Sequence, residues 1–151
     1  PKEKMEEVVK VLSTEYSNLR IFLFGGGKEE KQILNTWAAK YKGCTCASEV
    51  LHGLNEELVL MSHLDTMISM DSANMHLASL VGTRVVSIWG ATHPYAGFMG
   101  WNQSEENAVQ LDMACRPCSV YGNKPCLRGD YACMNDIRPE MIVAKIKQLF
   151  N

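Results

Sequence analysis

Short apolar runs of strand type alternate with stretches of helical periodicity along the whole chain, and few folds tolerate that alternation. Strand-like runs cover residues 19–24, 44–47, 66–70, 84–89 and 108–111. Between them Met5, Val8, Val9, Leu12 and Tyr16 recur at helical spacing over residues 2–17, and Ile33, Leu34, Trp37, Ala38 and Tyr41 share one face of a second helix. Leu54, Leu58, Met61 and Leu64 mark a third, residues 74–81 a fourth, and Ile142, Ile146, Leu149 and Phe150 a last one opening near Pro139. Residues 90–107 and the cysteine-bearing stretch after them read as irregular. The strand runs are continuously apolar, which suits strands buried on both faces. The expectation is an α/β fold: a Rossmann-like parallel sheet of these five strands with helices on both faces. A helix precedes the first strand, so the chain is expected to lack the opening strand of such a unit.

A chain of 151 residues, 46% hydrophobic and 21% charged, is globular and of ordinary size for one domain. The net charge of −2 and the lack of any Lys/Arg cluster argue against a nucleic-acid or polybasic membrane partner. No apolar run approaches the roughly 20 residues that span a bilayer. The start has no secretory pattern, and Pro1 stands where an initiator Met would, so a fragment of a longer protein is expected. Of the six cysteines, Cys44 and Cys46 lie apart from Cys115, Cys118, Cys126 and Cys133. Without a secretory segment, reduced thiols are favoured over disulfides, and Cys115-x-x-Cys118 with two more thiols also leaves a structural zinc site open.

Three loops carry the candidate chemistry, each just after a strand, at the edge where open α/β sheets bind ligands. In Asp71-Ser72-Ala73-Asn74-Met75-His76 an acid, a hydroxyl, an amide and an imidazole crowd the first turn of a helix. The free N–H groups and partial positive charge there suit a diphosphate. The plainer reading is a helix capped by Ser72 or Asp71 with His76 packed inside. Gly25-Gly26-Gly27-Lys28-Glu29 allows close backbone approach to a ligand but is neither a Walker loop nor a full Gly-x-Gly-x-x-Gly. A tight turn explains it equally, and Glu29 is either a solvated acid or a ribose ligand. In Gly90-Ala91-Thr92-His93-Pro94, Thr92 is the residue that could reach a phosphate, and a simple turn explains the loop at least as well. His52 and His63 read as surface positions.

Residues 71–78, followed by Gly82-Thr83-Arg84 and the run from Val85 to Pro94, resemble the heptosyltransferase-like glycosyltransferases of lipopolysaccharide synthesis. That family carries Asp-Ser/Thr-Gly-x-x-His-Leu-x-Ala, then Gly-Thr-Pro, a strand and Gly-Pro-Thr-x-Pro. The glycine loop, Cys115-Arg116-Pro117-Cys118 and Cys133-Met134 through Pro139-Glu140 fall in the family's order too. This sequence departs from the pattern at Ala73, Asn74, Ala91 and His93.

The resemblance implies the C-terminal, donor-binding half of a GT-B fold, spanning residues 1–151, with the acceptor domain and its catalytic aspartate outside this chain. It implies Gly25, Gly26, Glu29, Asp71, Ser72, Ala73, Asn74, His76 and Thr92 as contacts to a nucleoside-diphosphate sugar, ADP-heptose above all. No cofactor or catalytic metal is expected. The implied reaction is inverting transfer of heptose to a lipopolysaccharide-type acceptor, by a cytoplasmic enzyme that can sit at the inner membrane face. This chain alone is expected to be inactive. A nucleotide-binding regulatory domain and a zinc-braced interaction module are the other two classes the residues allow.

Overall fold

The computed structural model describes residues 1–150. The chain divides into two compact units, one from Lys2 to Val59 and one from Leu60 onward. Five short strands form two all-parallel ladders, one in each unit. The expectation of one five-stranded ladder is thus replaced by a pair and a triplet. Apolar runs in the sequence locate strands; they carry no information on which strand pairs with which.

In the first unit, α1 (Lys2–Glu15), β1 (Ile21–Leu23), α2 (Lys28–Lys40) and β2 (Cys44–Cys46) follow one another. β1 pairs with β2 in the register Ile21 to Cys44 and Leu23 to Cys46. The helical spacings do what the sequence suggests: α1 buries Val8, Val9 and Leu12, and α2 buries Leu34 and Trp37. Val9, Leu23, Leu34, Trp37 and Cys46 form one core cluster, with Ile33, Ala38 and Tyr41 packed against it. Tyr16, placed on the apolar face by spacing, lies past the end of α1 and is exposed. Lys40 and Tyr41 of the α2 end reach Glu6 of α1, at 2.7 and 2.9 Å. The Lys40 ammonium and the Tyr41 hydroxyl hold the Glu6 carboxyl below the usual carboxylate range.

α3 (Leu54–Ser62) leads into the second unit, where β3 (Met67–Met70), α4 (Ala73–Leu80) and β4 (Val85–Ile88) make a β-α-β succession. β4 lies between β3 and β5 (Ala108–Val109). All four residues of β4 are buried, so both its faces are covered, and α4 and α6 (Pro139–Phe150) pack on it. α4 closes at Gly82, whose φ of 80° is the left-handed conformation that ends many helices. Thr83 then donates its hydroxyl to the Met61 carbonyl. The last strand is shorter than the apolar run 108–111, because only Ala108 and Val109 find partners on β4. A one-turn helix, α5 (Ala132–Asn135), interrupts the cysteine stretch.

Candidate donor site

β3 and β4 run side by side, with Met70 opposite Ile88. The loops after them, 71–76 and 90–94, therefore emerge at one carboxyl edge. The 25–29 loop occupies the corresponding end of β1 in its own unit.

The 71–76 loop is a helix entry left open. Ser72 has the extended backbone of an N-cap, with φ −153° and ψ 171°, yet its side chain makes no capping bond. Its hydroxyl lies instead 3.0 Å from that of Ser69, which also donates to the Met70 carbonyl. The Ser72 carbonyl accepts from the Met75 N–H. Ser69, on the buried face of β3, thus steers the Ser72 hydroxyl away from the helix end, and no side chain of Ser72 competes for the first-turn N–H groups. Met75 is the core residue of that turn, fully buried. His76 is exposed and Asp71 half-buried. The packed-histidine reading is thereby set aside: in this turn it is Met75 that packs. Ala73 is helical and exposed, so its Cβ, absent in the glycine usual to the resembled family, carries no backbone strain.

In the glycine loop the three glycines have three different reasons. A Cβ on Gly25 would lie 2.7 Å from Leu34 Cδ1 and 2.8 Å from Glu30 Cδ. Gly27 has a φ of 82° and forms the entry to α2. Gly26 faces open space. Its N–H donates to Glu30 at 2.9 Å, so Glu30 is the acid that shapes the loop, while Glu29 is exposed. Gly25 is thus fixed by packing, whereas Gly26 and Glu29 remain accessible.

The 90–94 loop is held from behind by Arg116. Its guanidinium donates to the carbonyls of Gly90, Leu111, Trp89 and Thr92 and to Gln110 Oε1. Cys118 adds its N–H to the Ala91 carbonyl at 3.1 Å. Burial draws the Arg116 guanidinium below its ordinary value, while the surrounding thiols pull the other way; it remains a charged donor. The side chain of Thr92 is half-buried and packs near Gly122. His93 accepts from the Tyr95 N–H, and its ring lies 4.3 Å from that of Tyr95, which is itself strongly exposed.

The six cysteines are free thiols. Burial pushes the Cys133 thiol up, as do Cys118, Cys115 and Cys126 around it. A hydrogen bond from the Tyr131 backbone draws Cys126 down. Among the described residues no three His, Cys, Asp or Glu side chains are grouped to hold a metal ion. Arg116 from this segment braces the 90–94 loop, as Ser69 fixes Ser72 and Glu30 fixes Gly26 in the other two loops. None of the three stood out in the sequence. The only available signal for Arg116 was a lone charge between two cysteines.

The chain matches the family model "Glycosyltransferase family 9 (heptosyltransferase)" over residues 1–126. It is similar to the lipooligosaccharide heptosyltransferase 2 of Campylobacter jejuni, 30% identical over 136 residues, which cover 85% of this chain and 40% of that protein. It is 25% identical to a lipopolysaccharide heptosyltransferase 1 of Campylobacter coli, over 99% of this chain and 42% of the relative. The chain thus spans about two fifths of the length of these relatives. Among solved structures it resembles the E. coli ADP-heptose LPS heptosyltransferase II, with a TM-score of 0.71 at 18% identity over 99% of this chain and 41% of that one. It also resembles E. coli heptosyltransferase WaaC with ADP-2-deoxy-2-fluoro heptose, with a TM-score of 0.61 at 17% identity over 100% of this chain and 38% of the other. The fold is that of these GT-B enzymes, and the chain belongs to glycosyltransferase family 9, the heptosyltransferases.

Proposed function

We propose that residues 1–151 form the donor-binding domain of an inverting heptosyltransferase that uses ADP-heptose and a lipopolysaccharide-type acceptor. The observation that carries this reading is the open entry of α4. It is an uncapped helix start at the carboxyl edge of β3, with Asp71 before it, Asn74 inside it and His76 exposed on it. Helix N-termini of this kind favour a diphosphate. Ser72, Ala73 and Asn74 bring their N–H groups to it, and Thr92 lies on the neighbouring loop. Gly26 and Glu29 would meet the nucleoside from the glycine loop. The solved structures of E. coli heptosyltransferase WaaC, one with ADP and one with ADP-2-deoxy-2-fluoro heptose, support this choice of ligand class.

In the proposed reaction a base from the acceptor domain deprotonates the acceptor hydroxyl. That oxygen attacks the anomeric carbon as the diphosphate departs, with inversion. The share of this domain is electrostatic: fixed N–H dipoles and His76 stand where negative charge grows on the leaving group. The full enzyme would work in the cytoplasm, at the membrane face where its lipid-linked acceptor lies. Among the described residues no helix is long and apolar enough to cross a membrane.

Calorimetry with ADP tests the reading. His76→Ala removes one hydrogen bond to a charged oxygen, a loss of roughly 1.5–3 kcal/mol, so ADP should bind about 10–150-fold more weakly. Folding should be untouched, because the side chain is exposed. His52→Ala, also exposed, is the control and should change neither. Unaltered ADP affinity in His76→Ala would remove His76 from the site, and no ADP binding by the parent protein would overturn the reading.

A further inference from the structure

At the opposite end of the second unit's ladder lies a cavity of about 560 Å³, within the size range of small-molecule sites. Most of its lining precedes the strands: Leu64 and Asp65 before β3, Gly82 to Arg84 before β4, and Trp101 to Ser104 with Asn107 before β5. It is therefore separated from the 71–76 and 90–94 loops by the length of the strands. We propose that this cavity is a second saccharide-binding site, with Trp101 as its platform. The proposal stands independently of the donor-site assignment.

Trp101 is 77% exposed and Leu80, on the same lining, is exposed as well, so two large apolar side chains face one concave surface together. The loop that presents it is fixed. Gln103 donates to the Thr83 carbonyl at 2.9 Å and accepts from the Val85 N–H at 2.8 Å, which ties the loop to the start of β4. Gly100 is buried, and a Cβ there would fall 2.1 Å from Ser79 Oγ, leaving no room for another residue. Asn102 holds a φ of 57°, in the left-handed region. Asparagine adopts this region more readily than other non-glycine residues and so suits the turn that presents the ring. An aromatic ring held out on a rigid loop loses little conformational entropy when a ligand stacks on it.

The chemistry beside the ring selects the ligand class. Asp65, Arg84 and Asn102 are exposed and Asn107 is half-buried, and all four line the cavity. Asp65 and Arg84 have no ion-pair or hydrogen-bond partner for their charged ends among the described residues. A carboxylate accepting and a guanidinium donating suit a run of hydroxyl groups. Their charges cancel, which suits a neutral ligand. The carboxyl end of α4 borders the cavity through Leu80 and Gly82, and that end of a helix repels anions. Nucleotides and phosphates are therefore disfavoured. The apolar C–H face of a sugar ring fits against the electron-rich indole face while its hydroxyls meet the polar groups.

Saturation-transfer NMR on the protein tests this, with methyl glycosides of glucose, galactose and mannose and with N-acetylglucosamine at millimolar concentration. At least one sugar should receive saturation. Trp101→Ala should weaken its binding about tenfold, the loss of one aromatic contact, and Trp101→Phe should restore most of it. Asp65→Asn should weaken binding without moving the melting temperature. His76→Ala and an excess of ADP should leave the signal in place, which separates this site from the donor loops. The proposal fails if no sugar responds, if Trp101→Ala binds as the parent does, or if ADP displaces the sugar. It fails also if sedimentation velocity shows that Trp101 instead drives self-association, with the dimer lost in Trp101→Ala.

Discussion

The glycine loop shows how two adjacent, identical residues differ in what they do. Gly25→Ala would push a methyl group into Leu34 and Glu30, and overpacking of this kind costs about 1–3 kcal/mol. Gly26→Ala meets nothing within 4 Å and should leave stability within about 0.5 kcal/mol of the parent, while obstructing close approach by a ligand. Urea denaturation and ADP calorimetry on the two variants should give opposite patterns: stability lost in the first, affinity in the second. Arg116 is a sharper case. Arg116→Ala would orphan the carbonyls of Gly90, Trp89, Thr92 and Leu111. Some of these would recover water, so the expected loss in chemical denaturation is about 2–4 kcal/mol. Arg116→Lys should recover only part of it, since a point charge cannot replace a five-donor fork. The sequence marked this residue only as a lone charge between two cysteines and did not indicate its role. A side chain that serves distant carbonyls leaves no local periodicity, whereas Asp71 to His76 drew attention because four polar residues crowd one stretch of sequence. The same logic accounts for Glu29 and Glu30: two acids one position apart look alike until the loop shows which of them turns back on Gly26.

Helices and strands were largely legible, because each is specified by its own period. The faces of α1 and α2 buried as their spacing suggested, and the strand runs fell where apolar residues cluster. The pairing of strands was not legible, nor was the reach of Lys40 and Tyr41 on α2 to Glu6 on α1, since both depend on how elements approach one another. That contact makes a pH prediction. Glu6 has a lower pKa folded than unfolded, first because Lys40 and then because Tyr41 bonds its carboxylate. Its contribution is therefore fully present above the unfolded carboxylate value of about 4.3 and is lost as pH falls through the lower folded value. Lys40, raised mainly by the same bond, contributes below the unfolded lysine value and loses its share as pH rises through the folded one. Glu6→Gln should lower the melting temperature slightly at neutral pH, and the gap to the parent should close in acid. A gap of constant size from neutral pH down to pH 2 would mean that the contact does not act through charge. The effect should also shrink in high salt, because the pair is exposed.

At the scale of the whole molecule, the chain consists of two units, each with its own parallel ladder, and spans about two fifths of the relatives it matches. Every residue proposed to contact the donor lies on a loop that follows a strand of one of these ladders or in the first turn of the helix after it. In the proposed reading, the base and the acceptor surface belong to the part of the full-length protein that corresponds to the relatives' length outside the match. Binding and turnover should therefore separate. The 151-residue polypeptide is expected to bind ADP, with His76→Ala weaker, and to transfer no heptose from ADP-heptose to a deacylated lipopolysaccharide acceptor. Asp71 is the one carboxylate of the 71–76 loop, half-buried at the end of β3, and thus the only rival for the part of base at that helix entry. Assaying the purified polypeptide beside Asp71→Asn distinguishes the two arrangements. Absence of transfer by the parent, with ADP binding intact, agrees with a donor domain whose base is supplied from elsewhere. Transfer by the parent that vanishes in Asp71→Asn would place the base in this chain and overturn the division of labour proposed for it.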